Sequence, residues 1–202
     1  MLIRAHDAWT DETEWADHVR DVGFGHLAVN GPDGVPVVVP TQFVLADDNR
    51  TVHLHLAKAN PVFDALAASP RAVLSVARDW AYIPGGWKAI GDEDPTKGIP
   101  TTYYSAVQLI GDVDVLDDTD AIADTLRTQL ADVEPDGNLQ DPSVHAGQFR
   151  VIRGLRLSVT EVRAKAKYGG NVDDAHRAAI AERLRGRGGP GDTSAAERVP
   201  RD

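Results

Sequence analysis

Thr51-Val52-His53-Leu54-His55-Leu56-Ala57-Lys58 alternates without a break between aliphatic and other residues. Successive side chains of an extended chain point to opposite faces, so Val52, Leu54 and Leu56 share one face and His53, His55 and Ala57 the other. Such a strand turns its aliphatic face to an apolar interior. Working outward, Asp47-Asp48-Asn49-Arg50 forms a turn before this strand, and residues 35–45 are another β-rich run. That run is joined through Asn30-Gly31-Pro32-Asp33-Gly34 to His26-Leu27-Ala28-Val29, which makes a hairpin and extends the reading to a three-stranded antiparallel meander.

Helical spacing flanks the meander. Residues 10–22 carry Thr10 as a cap candidate and Trp15, Val19 and Val22 on one side, and residues 60–68 open at Asn60-Pro61 and stop at Ser69-Pro70. Residues 72–77 are a further apolar strand. Residues 82–100 form a Gly- and Pro-containing loop too long for a plain connection, which suits a lid. Residues 101–116 read as one long strand interrupted at Gly111, where a bend helps a sheet curl. Asp117-Asp118 then caps a helix over 119–133, with Ile122, Leu126, Leu130 and Val133 at helical spacing. Residues 149–162 return to strand, Leu155, Leu157 and Val159 alternating with Arg156, Ser158 and Thr160, and a last helix covers 172–185. Hairpin-joined strands with a bend in the longest of them predict a mainly β, α+β fold: one domain over 1–185, an antiparallel barrel with peripheral helices. The Gly-rich, charged stretch 186–202 is expected to be a disordered tail. No GxGxxG follows the first strand and no GxxxxGK[ST] occurs, which excludes the usual parallel nucleotide-binding sheets.

Composition narrows the function. The chain has 202 residues, 42% of them hydrophobic, enough apolar mass for one proper core. It has no cysteine, so disulfides, zinc-cysteine sites and thiolate haem ligation are excluded. With 21 Lys and Arg against 31 Asp and Glu, its net charge of -10 repels phosphate backbones, and no nucleic-acid partner is expected. The N-terminus lacks the apolar run of a signal peptide, and no segment approaches the roughly 20 apolar residues of a membrane span. A cytoplasmic location without a membrane partner is the expectation.

Several side chains could carry chemistry. The outward pair His53 and His55 is either wet surface or, through His55, ligates a metal or meets a planar cofactor. Lys58 is one of only five lysines, and either ends the strand in solvent or pairs with a cofactor carboxylate, a phosphate or a reacting group. Lys97, in the long loop, faces solvent. Pro100-Thr101-Thr102-Tyr103-Tyr104 brings hydroxyls and phenols to a strand entry, so at least one Thr and one Tyr share a face; they either satisfy β-propensity or orient a small polar substrate. Lys165-Ala166-Lys167-Tyr168-Gly169-Gly170-Asn171 combines charge and paired glycines, which suits an anion. The basic runs 163–167 and 183–187 otherwise read as solvated helix faces. Trp80, Tyr82 and Trp87 read as core or lid packing, or as an aromatic shelf for a flat cofactor.

Four of these pieces, in order, resemble the PaiB-type family of split β-barrel homodimers described as flavin-binding regulators. They are His55-Leu56-Ala57-Lys58-Ala59-Asn60-Pro61; Trp80-Ala81-Tyr82-Ile83-Pro84 with Trp87; Ile99-Pro100-Thr101-Thr102-Tyr103-Tyr104 with Ala106-Val107; and Lys165-Ala166-Lys167 with Asn171. Flavin-associated members tend to have Pro-Thr-Trp-Asn-Tyr and Lys-Leu-Ser-Gln-Asn-Arg where this chain has Pro100-Thr101-Thr102-Tyr103-Tyr104 and Lys167-Tyr168-Gly169-Gly170-Asn171-Val172. In those departures the chain is similar to the branch containing haem-dependent piperazate synthases, which join two nitrogens of N-hydroxy-ornithine with loss of water. The resemblance implies a homodimeric enzyme, an N–N bond-forming cyclase acting on a small polar amino acid. Haem b is the implied cofactor with His55 as its axial metal ligand, and Asn60, Trp87, Lys167 and Tyr168 as further cofactor contacts. Lys58, Thr102, Tyr103 and Tyr104 are implied as catalytic groups. FMN is the alternative cofactor, in a flavin-dependent oxidoreductase or a flavin-binding regulator.

Overall fold

Phe43 interrupts the run that the sequence presents as one strand. In a computed structural model describing residues 1–137 and 139–199, strand β1 (Phe24–Asn30) pairs antiparallel with β2 (Pro36–Gln42), Leu27 opposite Val39. Phe43 is then buried, its N–H bonded to the Gly23 carbonyl. The chain resumes as the short β3 (Val44–Leu45), which pairs with β4 (Thr51–Ala57), Val44 opposite His53. The expected meander is therefore corrected: β4 is hydrogen-bonded to β3 and to the distant β7 (Ile152–Lys167), with His55 opposite Gly154. With β5 (Arg71–Ile83) and β6 (Thr101–Leu116), the sheet order is β2-β1-β5-β6-β7-β4-β3. Its first and last strands are neighbours in sequence, separated by Phe43 alone, which is the topology of a sheet rolled toward closure.

The chain divides into two compact units. One comprises Glu12–Val76 and Gln108–Val162 and contains β1 to β4, with α1 (Glu12–Val22), α2 (Val62–Ala68) and α3 (Thr119–Val133). Its interior is aliphatic: Leu27, Leu54, Leu74, Leu109, Leu155 and Leu157 are wholly buried. A buried Leu contributes roughly 1.5–3 kcal/mol over an exposed one, and a one-residue slip would turn a whole row outward, so alternation fixes the register. On β4 the expected alternation holds, Val52, Leu54 and Leu56 being buried and both histidines half-buried on the other face. A 3₁₀ segment, Pro142–Val151, was not anticipated; it occupies the start of the stretch expected to be strand.

The other unit comprises Met1–Asp11, Ala77–Val107 and the chain from Arg163, and includes α4 (Asp174–Arg187) and α5 (Asp192–Arg198). The strand expected over 72–77 runs on to Ile83. Asp79 has a left-handed backbone (φ 56°), and the buried positions change parity across it, from Leu74 and Val76 to Ala81 and Ile83. That is a bulge, and it conceals the strand's continuation from a period-two reading. Trp80 and Tyr82 consequently lie on the exposed face rather than in core or lid packing. The expected disordered tail also differs. Residues 186–199 carry the end of α4 and all of α5, whose Ala195 and Ala196 join a core with Ile83, Tyr103, Tyr168, Ile180 and Leu184. Asp192, wholly buried, is held by Arg187 at 2.7 Å, so the small and charged residues that suggest disorder are what this packing uses. Residues 200–202 of the expected tail lie outside the described residues. No helix among the described residues is long and apolar enough to cross a membrane.

Candidate functional site

Helix α3 begins where Asp118 accepts the N–H groups of Asp120 and Ala121. Its inward stripe is Ile122, Thr125 and, one turn later, Gln129. A glutamine at a 6% exposed position needs a hydrogen-bond partner, and His55 supplies it: Nδ1 lies 2.6 Å from the Gln129 Oε1. Gly154, across the ladder from His55, makes this approach feasible, because a Cβ there would stand 2.9 Å from the Thr125 hydroxyl. Leu126, Leu130 and Phe149 line an apolar pocket of about 300 Å³ around His55, and His145 contributes a further imidazole. His53, on the same strand face, has no side-chain hydrogen-bond partner among the described residues. Burial and the nearby Arg156 cation hold its imidazole below its usual basicity.

Lys58 and Asn60 belong to this same unit but are otherwise engaged. Lys58 is exposed at the strand end, its backbone N–H bonded to Val151. The Asn60 side-chain oxygen accepts the Val62 N–H at the start of α2, and neither residue lines the His55 pocket.

The second unit holds a cleft of a different chemistry, about 390 Å³, in which Lys88, Lys165 and Lys167 converge with Arg4, Thr101 and Tyr103. Lys167 and Lys165 alternate along β7 with Ala166, and the Lys167 ammonium donates to the Thr101 hydroxyl at 2.7 Å. Lys165 and Lys167 also lie over the Tyr104 ring, at 5.4 and 5.9 Å respectively. Lys165 is buried and balanced by Asp7 at 3.5 Å and the Leu2 carbonyl at 3.0 Å. Lys88 and Lys167 have no carboxylate partner among the described residues. Burial and repulsion from Lys167 lower the basicity of Lys88. A cleft that crowds like charges in this way attracts an anion.

Among the other residues singled out in the sequence, Tyr103 lines the cleft, buried, its phenol pushed up to about 12 by burial. Thr102 and Tyr104 are not lining residues. Tyr168, expected against a cofactor, is core: it packs edge-on against Tyr103 with centroids 6.0 Å apart and donates its hydroxyl to the Asp79 carbonyl. Trp87, expected likewise, packs on the same core and is covered by the Arg187 guanidinium at 4.6 Å. The basic runs are likewise corrected: Lys165 and Lys167 are cleft residues on a strand, and Arg183 binds the carbonyls of Trp87 and Ala89. Gln129 and His145 were missed altogether. No group of three or more metal-binding side chains occurs among the described residues.

Known structures share this fold. The flavocytochrome Anf3 from Azotobacter vinelandii is 22% identical with a TM-score of 0.62, covering 86% of this chain and 75% of its own. The FAD and heme binding protein from Mycobacterium smegmatis is 18% identical with a TM-score of 0.65, covering 86% and 79%. A conserved hypothetical protein from Mycobacterium tuberculosis is 19% identical with a TM-score of 0.58, covering 82% and 90%. No curated protein matches the chain. The sequence family described as "Putative FMN-binding domain" matches residues 1–161. Taken with the antiparallel split-barrel topology, a match of that extent means that the chain belongs to this FMN-binding domain family.

Proposed function

We propose that the chain binds FMN, with the phosphate held by Lys88 and Lys167 beside the Thr101 hydroxyl, and works as a flavin-dependent oxidoreductase or flavin carrier. The observation that carries this reading is the lysine cleft: a chain of net charge -10 gathers three of its five lysines around one opening. Two ammoniums without carboxylate partners and a hydroxyl are a donor set suited to a phosphate dianion. Bound flavin would supply reversible two-electron transfer, which a chain without cysteines does not supply by itself. The residues' part is to neutralise the phosphate and fix its position.

Titration of the purified protein with FMN and with riboflavin, followed by flavin fluorescence, tests the reading. FMN should bind more tightly than riboflavin. Lys167→Gln, which removes a charge-assisted bond of roughly 1.5–3 kcal/mol, should weaken FMN by about ten- to a hundredfold and leave riboflavin unchanged. Equal affinity of the wild type for the two flavins would take the lysines out of the phosphate role and sink the reading.

A second reading has one specific observation in its favour, the bond between the His55 Nδ1 and Gln129, since imidazoles that ligate metals commonly bond through their other nitrogen to a neighbour. In it His55 would hold the iron of haem b, which would supply a Lewis acid for N–O cleavage, and the protein would act as a piperazate synthase. The N-hydroxy-ornithine side-chain nitrogen loses its hydroxyl, the α-amine loses a proton, and an N–N bond forms with release of water, without any external oxidant. Hemin added to the protein should give a Soret band that His55→Ala abolishes and His53→Ala preserves. Haem-loaded protein incubated with N-hydroxy-ornithine should give a product lighter by one water in a mass spectrum; unchanged substrate would remove this reading.

A further inference from the structure

Two histidines lie on one face of β4, and the structure treats them differently. His53 stands opposite Val44 and Arg156 across its two ladders, without a hydrogen-bonding side chain among the described residues. His55 stands opposite Gly154, and the space left by that glycine admits α3. The Thr125 hydroxyl is bonded to its own helix at the Ala121 carbonyl, 2.9 Å away, so it does not compete for the imidazole. The Gln129 Oε1 has His55 as its partner, at 2.6 Å. A carboxamide oxygen only accepts, so the nitrogen facing it must carry the proton. A neutral imidazole has one N–H, and the other nitrogen is then a bare lone pair.

We propose that Gln129 is a positioning residue that locks His55 in the tautomer protonated at Nδ1, presenting the Nε2 lone pair as the ligand-facing nitrogen of the apolar pocket. Leu126, Leu130 and Phe149 make most of the surrounding wall apolar, while Gln42, Gln140 and His145 are the other polar side chains that line the pocket. A lone pair in such a pocket is a strong acceptor and a ready metal ligand. The proposal rests on the His55 reading only for the identity of what meets Nε2. The tautomer itself is a property of the protein before any ligand binds.

Long-range proton–nitrogen NMR correlation on ¹⁵N-histidine-labelled protein reads the tautomer directly, with the His55 signals assigned by their loss in His55→Ala. The wild type should show His55 protonated at Nδ1 and bare at Nε2. Gln129→Leu, which fills the position without an acceptor, should release it to a mixture weighted toward the Nε2-protonated form. Gln129→Glu, which restores an acceptor, should return it to the Nδ1 form. Hemin is the probe for the pocket: Gln129→Leu should weaken its binding by about 10–100-fold, and Gln129→Glu should recover affinity with a shifted Soret band. Wild type protonated at Nδ1 but indifferent to hemin would sustain the tautomer lock and reject haem. Wild type protonated mainly at Nε2, or a tautomer that Gln129→Leu and Gln129→Glu both leave unchanged, would overturn the proposal.

Discussion

Gly111 and Gly154 sit on adjacent strands of the rolled sheet, and each is glycine for a steric reason. At Gly111 a Cβ would overlap the backbone carbonyl of Ser158 on β7, with the Val159 Cα only 3.0 Å away. Backbone cannot rotate out of the way as a side chain can, so Gly111→Ala should cost about 1–3 kcal/mol in overpacking. The urea midpoint should fall with an unchanged slope; a midpoint equal to wild type would show that the strands part freely there. Gly111 was legible in the sequence because it interrupts an otherwise continuous strand. Gly154 was not, since its reason is a helix that reaches it only in the fold. Gln129 was hidden for the same cause: it is 74 residues from His55 in sequence, and on a helical wheel it is simply a polar residue beside apolar ones. Lysine scarcity drew attention to Lys58, which the fold leaves exposed, whereas the stretch from Lys165 to Asn171 contained two of the three cleft lysines and gave no hint that Lys88 joins them.

At the scale of elements, the long connection after β5 is fastened to α4 rather than left as a free lid. Arg183 binds two of its carbonyls, and His176 places Nε2 3.0 Å from Glu93 of that connection and Nδ1 2.8 Å from Asp173 at the head of α4. Both contacts donate at once only when the imidazole is protonated. Its hydrogen bonds to Asp173 and Glu93 raise its pKa above the ordinary 6.5. The same clasp, after a backbone bond from Ile90, lowers that of Glu93 below its ordinary 4.5. A raised imidazole pKa stabilises the fold fully below 6.5, and the contribution fades as pH rises through the raised value. The carboxylate's contribution is present above 4.5 and fades as pH falls. The clasp is therefore strongest between 4.5 and 6.5. The difference in thermal midpoint between wild type and His176→Gln should be widest in that window and narrow toward alkaline pH; a difference constant with pH would refute it. In the sequence these elements were recognisable one by one, the helix over 119–133 and the strand over 101–116 to the residue. Their fastenings were not, because the bulge at Asp79 disguised where β5 ends and the 3₁₀ segments have no strong period of their own.

For the whole molecule, strand patterning and the absence of nucleotide-binding glycine motifs were enough to reach an antiparallel barrel-like fold, because burial of alternate residues is a property each strand carries in its own sequence. How the strands join was not, since pairing of β4 with β7 links residues that stand about half the chain apart in sequence. The two pockets differ for a related reason: one is made where a helix covers an outward histidine, the other where Lys88 and the pair Lys165 and Lys167 are brought together from two distant chain segments. The bend at Phe43 has its largest effect at this scale. Because β2 and β3 are the two margins of the sheet and also one continuous stretch of chain, neither margin is a loose end from which the sheet could peel. Withdrawing Phe43 from its buried place would free both at the same moment, so the rolled sheet should come apart as a single cooperative event rather than by fraying from an edge.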